Sequence, residues 1–151
     1  MQCAELMRTD VQTVSEGHSL RQAAERMAVA NVGFLPVCDE SGKVLGTVTD
    51  RDIVIRAVAA GSSPENARVG DVMTREVVSC RPEDDLDLAE QAMAQHQVSR
   101  ILITDDGGIL SGVISLSDLA ENEPSQRAGE VLRDIAAREA PRFIGPEGLQ
   151  G

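Results

Sequence analysis

Gly46-Thr-Val-Thr-Asp-Arg-Asp52, running on into Ile53-Val-Ile55, has an echo in Gly112-Val-Ile-Ser-Leu-Ser-Asp118, running on into Leu119. Each stretch leaves a glycine through a β-branched residue and reaches a hydroxyl residue three positions on, Thr49 or Ser115. Three positions later it meets an aspartate, Asp52 or Asp118, and an apolar helix start follows. The copies lie 66 residues apart, and the same shift lays residues 6–53 on 72–119 without a gap. Met7 falls on Met73, Val11 on Val77, Leu20 on Leu86, Met27 on Met93, Val32 on Val98 and Gly42 on Gly108. Two copies are too few for a solenoid. They predict a pseudo-two-fold pair of halves that share a core.

Both repeats have one internal order. An opening segment leads to an extended piece, Gln12–Val14 or Val77–Cys80. A helix follows, with Leu20, Ala23, Ala24, Met27 and Ala28 as its apolar stripe in the first repeat and Leu86, Ala89, Ala92 and Met93 in the second. Next come a strand (33–37 or 100–104), a Gly-containing polar turn, and a return strand (44–48 or 109–114). The closing helix spans 50–60 in the first repeat and a shorter 116–120 in the second. The pattern is β-α-β-β-α, twice, in an α+β fold. Residues 1–62 form the first unit, 63–69 a linker, 70–123 the second unit and 124–151 an extension. Within the extension, 126–140 reads as a helix with Val131, Leu132, Ile135 and Ala136 on one side, and Arg133 and Arg138 towards its end. Residues 141–151, rich in Pro and Gly, read as loose.

Composition narrows the function. The 151 residues carry a formal net charge of −11, which opposes binding to nucleic acid or to an anionic membrane. With no Trp, no Tyr and only Phe34 and Phe143 as aromatics, there is no aromatic platform for stacking bases. A bound purine must be gripped by aliphatic side chains and backbone. No apolar run approaches a membrane span, and MQCAELMRTD lacks a signal-peptide core, so the reading places the protein in the cytoplasm. Cys3, Cys38 and Cys80 are far apart and read as reduced apolar residues, not as metal ligands. His18 and His96 read as surface or capping residues. No cofactor, metal or catalytic residue is expected.

The repeated turn has two readings. Capping alone explains a hydroxyl followed three residues later by an acid at a helix start. The same geometry also suits a nucleotide. N–H donors at the helix start face a phosphate, the hydroxyl donates to a phosphate oxygen, and the aspartate accepts from the two hydroxyls of a ribose. Gly46 and Gly112 clear a side chain from the path of a base. Duplication of the whole constellation raises the functional reading.

Both copies resemble CBS domains, whose signature is Gly-hydrophobic-x-Thr/Ser-x-x-Asp, and the resemblance covers about residues 3–121. It implies two tandem CBS domains, a Bateman module, packed through their sheets with two clefts for AMP, ADP, ATP or S-adenosylmethionine. On this resemblance Asp52 and Asp118 take the ribose hydroxyls, and Thr49 and Ser115 contact ribose or phosphate. Ser117, with Arg51 in its place in the first repeat, and Arg100 reach phosphate. Thr13, Val14, Ser79 and Cys80 line the base slot. Phe34, Leu35, Pro36, Ile101 and Leu102 form its apolar wall. Because Arg100 pairs with Phe34 and Arg51 with Ser117 between the repeats, the two clefts are expected to bind unequally.

Three functions compete. The first is a ligand-sensing regulatory module acting on a separate, unidentified partner protein. The second is a ligand-free interaction or scaffold module. The third, an enzyme, lacks a nucleophile with a base. The apolar closing helices, Ile53–Ile55 with Ala57–Ala60 and Leu116 with Leu119–Ala120, want a partner surface, so a homodimer is expected.

Overall fold

The structure is a computed structural model, and it describes residues 1–122 and 125–137. The repeated turns each end a strand and start a helix. Strand β1 (Phe34–Cys38) pairs antiparallel with β2 (Val44–Thr49), which runs into α3 (Asp50–Ile53). In the second repeat, β3 (Ser79–Cys80) lies parallel to β4 (Arg100–Thr104). Strand β4 pairs antiparallel with β5 (Leu110–Ser115), which runs into α6 (Leu116–Asn122). The first repeat keeps the equivalent of β3 as a single parallel bridge between Val14 and Val37. Both hairpins bulge at equivalent places, Val37/Cys38 and Ile103/Thr104. Each hairpin turn is held by an aspartate: Asp39 accepts from the Ser41 and Lys43 N–H groups, and Asp105 from those of Gly107 and Ile109. The turns meet tip to tip, where the Val44 N–H donates to the Gly108 carbonyl and the Leu110 N–H to that of Gly42.

The long helices precede the hairpins. In α2 (Leu20–Ala30), Ser19 and Gln22 form a reciprocal cap, and Asp85 caps α5 (Leu86–His96). Both helices end on a left-handed residue at equivalent positions, Asn31 and Gln97, each with φ of 54°. Of the stripe expected on α2, Leu20, Ala23 and Met27 are buried, while Ala24 and Ala28 are exposed. Their side of α2 faces an open groove bounded by Ile53 and Val54.

The halves are tied by exchange of their opening segments. Helix α1 (Cys3–Leu6) belongs to the first repeat in sequence but packs on the second. Its Cys3 N–H donates to the Asp84 carbonyl, and Cys3 is fully buried with Leu86, Met93 and Ile114. Just beyond it, Arg8 and Val113 exchange two backbone hydrogen bonds on the edge of β5. Helix α4 (Val69–Val72) does the converse. Val69 and Val72 enter the core of Leu20, Leu35 and Val48, and Thr74 exchanges two backbone hydrogen bonds with Thr47 on the edge of β2. A third cluster, including Cys38, Val44, Leu102 and Val113, joins the two sheets.

This exchange revises the reading of the two glycines. A Cβ at Gly46 would stand 2.2 Å from the Thr74 carbonyl oxygen, and one at Gly112 would stand 2.6 Å from that of Arg8. The glycines make room for the other repeat's crossing segment, not for a base.

The closing segments differ. After α3, residues Val54–Val58 widen into a π-helical turn, with the Ala59 N–H bonded to the Val54 carbonyl. Ala57 is buried there, but Val54, Ile55 and Val58 are 54%, 55% and 63% exposed. In the second repeat, α7 (Ser125–Ala136) lies over α5 and α6, burying Val131 and Ile135 against the core that holds Leu119. Thus the second closing helix, expected to seek an outside partner, already packs within the chain. Leu132 and Ala136, expected on the packing side of this helix, are exposed. Arg138, the end of the expected 126–140 helix and the 141–151 segment lie outside the described residues.

Gly46→Ala must push the crossing segment off β2, and overpacking of this kind costs about 1–3 kcal/mol. Gly17→Ala, with no atom within 4 Å of the new Cβ, should not incur it. Urea denaturation of the two variants against the wild type checks the difference.

Candidate functional site

Two clefts open where the repeats meet, and the 66-residue shift relates their walls. The first, about 190 Å³, is lined by Thr47 and Thr49 from one repeat and by Thr74, Glu76, His96 and Val98 from the other, among others. The second, about 350 Å³, is lined by Val113, Ser115, Ser117 and Asp118 against Arg8, Asp10, Gln12 and Val32. Phe34 and Arg100, which are themselves equivalent by the shift, line both clefts. The Arg100 guanidinium carbon lies 5.3 Å from the Phe34 ring centre, a cation–π contact on the wall the clefts share.

The capping reading and the binding reading divide between the two oxygens of each aspartate. In the first repeat Asp52 Oδ2 accepts the Thr49 N–H at 3.0 Å, and Thr49 Oγ1 accepts the Asp52 N–H at 3.0 Å. Asp52 Oδ1 is left with longer contacts, Thr74 Oγ1 at 3.5 Å and Arg56 Nε at 3.9 Å. In the second repeat Asp118 Oδ2 accepts from the Ser115 N–H and hydroxyl, both at 2.9 Å. Its Oδ1 is held by Arg8 Nε at 2.9 Å. Arg8 occupies the place that Thr74 has in the first cleft, delivered there by the exchanged backbone pairing.

Several expected residues come together. Ser115, Ser117, Asp118, Arg100 and Phe34 share the second cleft, with the Ser115 and Ser117 hydroxyls 3.1 Å apart. Thr49, Phe34, Arg100 and Leu102 share the first, with Asp52 just behind Thr49 and Thr74. The others lie elsewhere. Val14, Leu35 and Ile101 are buried in hydrophobic cores, and Pro36 is buried beside Val14, whose N–H it accepts. Cys80 packs against the second core, Ser79 is exposed at the sheet edge, and the Thr13 carbonyl accepts from Arg26. Arg51 is exposed and lines neither cleft.

The wall residues that sequence reading missed include Arg8, Asp10, Gln12, Thr74, Glu76, Val78, His96 and Val98. His96, read as a surface residue, stands beside Glu76 with Nδ1 3.5 Å from Oε1. The shift pairs Arg8 with Thr74 and Asp10 with Glu76, but nothing local says that these segments cross to the other repeat.

Burial pushes the Asp118 carboxyl up, but the Ser115 N–H, the Arg8 guanidinium and the Ser115 hydroxyl outweigh it and hold it below its ordinary value. Arg8 is raised in turn, chiefly by its hydrogen bond to Asp118. The thiols move the other way: burial takes Cys3 up to about 11 and also raises Cys38 and Cys80. Among the described residues no group of three His, Cys, Asp or Glu side chains is arranged to hold a metal, and no helix is long and apolar enough to cross a membrane.

Comparison with known proteins gives one consistent result. The CBS domain profile matches residues 3–58 and 69–124. The CBS domain-containing protein YhcV of Bacillus subtilis is 41% identical over 131 residues, covering 86% of this chain and 91% of that protein. The homoserine O-acetyltransferase of Methanohalophilus mahii is 37% identical over 112 residues, but the match covers only 22% of the enzyme. Among solved structures, hypoxic response protein I with two coordinated zinc ions has a TM-score of 0.74 at 29% identity, covering 82% of this chain and all of that one. The CBS domain pair of MJ0100, in complex with 5-methylthioadenosine and S-adenosyl-L-methionine, has a TM-score of 0.70 at 24% identity, covering 80% and 94%.

The Asp118 contacts leave a signature in acid. A carboxyl whose pKa is depressed on folding stabilises the fold above its unfolded value, and that contribution is lost as pH falls through the folded value. Asp118→Asn should therefore be less stable than the wild type at neutral pH. The gap should narrow as pH drops below about 3.8, the ordinary aspartate value. Denaturant midpoints measured between pH 7 and pH 3 check this.

Proposed function

The chain belongs to the CBS-domain family, as two tandem CBS domains of mixed α+β content, and on that footing we propose that it is a regulatory module that senses an adenosine derivative. The ligand is AMP, ADP, ATP or S-adenosylmethionine, bound in a cleft between the repeats. The module is cytoplasmic and modulates a separate partner protein. Its role is regulatory, not catalytic.

The observation that carries this reading is the composition of the cleft walls. Each cleft has the hydroxyl residue of the repeated turn from one repeat and a crossing segment from the other, with Asp118 lining the second cleft and Asp52 behind Thr49 in the first. A ligand seated there touches both halves, so it binds better to one arrangement of the halves than to another. That preference is what a population shift requires. Asp52 Oδ1, whose contacts are long, accepts from a ribose diol, and Asp118 holds Arg8 at the second cleft. Ser115 and Ser117 offer hydroxyls to a phosphate, and Val32, Val98, Leu102 and Phe34 supply apolar surface for a base. The MJ0100 pair, which shares this fold, was solved with adenosine derivatives.

Calorimetric titration with AMP, ATP and S-adenosylmethionine tests the reading. One of them should bind saturably, and Asp52→Ala or Asp118→Ala should weaken its own cleft by tenfold or more, the scale of a charge-assisted hydrogen bond. Absence of heat with all three, in protein free of co-purified nucleotide, would leave the interaction module as the better account.

One observation also favours a protein surface. Val54, Ile55 and Val58 stand exposed on the π-helical turn of the first repeat, whereas in the second repeat α7 packs on α5 and α6. We assign this face to a homodimer contact. Ile55→Asp should shift the sedimentation coefficient from dimer to monomer without unfolding the protein, since Ile55 is half exposed in the single chain.

A further inference from the structure

We propose that Arg8 makes the second cleft a site for a nucleoside monophosphate, with Arg8 binding the phosphate and Asp118 positioning it. The proposal rests on the adenosine-sensing reading and narrows it to one cleft and one ligand class.

The pairing geometry carries the argument. Asp118 is 4% exposed, and its Oδ1 meets Arg8 through Nε alone. The Arg8 side chain itself is 65% exposed and lines the cleft. A guanidinium has five N–H donors in a planar fork. Holding it by Nε fixes the plane and leaves the terminal nitrogens for an oxyanion. Arg100 stands on the same cleft wall, and the Ser115 and Ser117 hydroxyls lie between strand and helix, 3.1 Å apart. Two cations and two hydroxyls suit a phosphate. Asp10 lines this cleft as well and opposes a longer polyphosphate chain. The wall carries two positive and two negative side chains and is close to neutral, so each added phosphate group adds uncompensated negative charge, which favours one phosphate over three.

The first cleft lacks this arrangement. Thr74 stands in the place of Arg8 and Glu76 in the place of Asp10, which leaves Arg100 as the one arginine among its lining residues. Within the repeated motif the clefts differ at Ser117, which is Arg51 in the first repeat; the arginine against threonine difference comes from the crossing segment.

The test compares AMP, adenosine and ATP by calorimetry on the full chain, with Arg8→Thr copying the first cleft and Ser117→Ala marking the second. In the wild type AMP should bind more tightly than adenosine by about tenfold or more, and more tightly than ATP, with the AMP signal weakened by Ser117→Ala. In Arg8→Thr the AMP-over-adenosine ratio should fall by about tenfold, the scale of a lost charge-assisted hydrogen bond. Because that variant leaves Asp118 unpaired, Arg8→Lys provides a second route: it keeps the charge, loses the fork and should lower the ratio by a smaller factor. An unchanged ratio in both variants overturns the proposal while leaving the sensor reading intact. So does tighter adenosine binding in Arg8→Thr, which would make Arg8 a latch over Asp118. No binding of any of the three to the wild type overturns the proposal, and the sensor reading falls with it only if S-adenosylmethionine gives no heat either.

Discussion

Everything in this molecule depends on two short backbone exchanges, Arg8 with Val113 and Thr47 with Thr74. Each sets the start of one repeat on the outer edge of the other repeat's return strand. The edges are thereby covered, which a two- or three-stranded sheet in water needs. Each hydrophobic core is then completed from across the pair: Cys3 and Leu6 fill one, Val69 and Val72 the other. Neither repeat owns a full core, so the pair is the cooperative unit. The clefts follow from the same exchange, because the crossing segments form their second walls. Cleft geometry and stability thus rest on the same hydrogen bonds.

The symmetry is broken in two places, with different consequences. At the clefts, one side-chain difference in the crossing segments, arginine against threonine, changes what a carboxylate meets. At the outer face, α7 covers the helices of the second repeat while the groove beside α2 and the π-helical turn stay open. The module therefore has one finished flank and one unfinished flank.

Much of this was legible in the sequence. The 66-residue shift yields the repeat and its element order, and the Thr49/Asp52 and Ser115/Asp118 turns yield the strand-to-helix joints. Periodicity places Leu20, Ala23 and Met27 inside. It overreaches at Ala24 and Ala28, because a stripe shows which side is apolar and not whether a neighbouring element covers it. The same limit applies to Leu132 and Ala136 on α7. The crossing of the opening segments left no local mark, since an extended piece pairs equally well with its own hairpin or with its twin. Arg8 and Thr74 were missed for that reason. The glycines were noticed, but the backbone they accommodate belongs to a segment tens of residues away. Val14, Leu35 and Ile101, attached to the slot by resemblance, are held in the cores by their own apolarity.

The docking of α1 also bears on how the chain is made. Residues 3–8 leave the ribosome well before their seat, the edge of β5 and the core around Leu86 and Ile114, and Val113 follows Arg8 by more than a hundred residues. At about 5–20 residues per second, the opening segment waits for roughly 5–20 s before its strand exists. The first repeat waits less, since α4 follows the linker and emerges well before β5. Contacts of such sequence separation form late and slowly. The first core can thus close once α4 has emerged, whereas the seat of α1 is complete only when β5 has emerged.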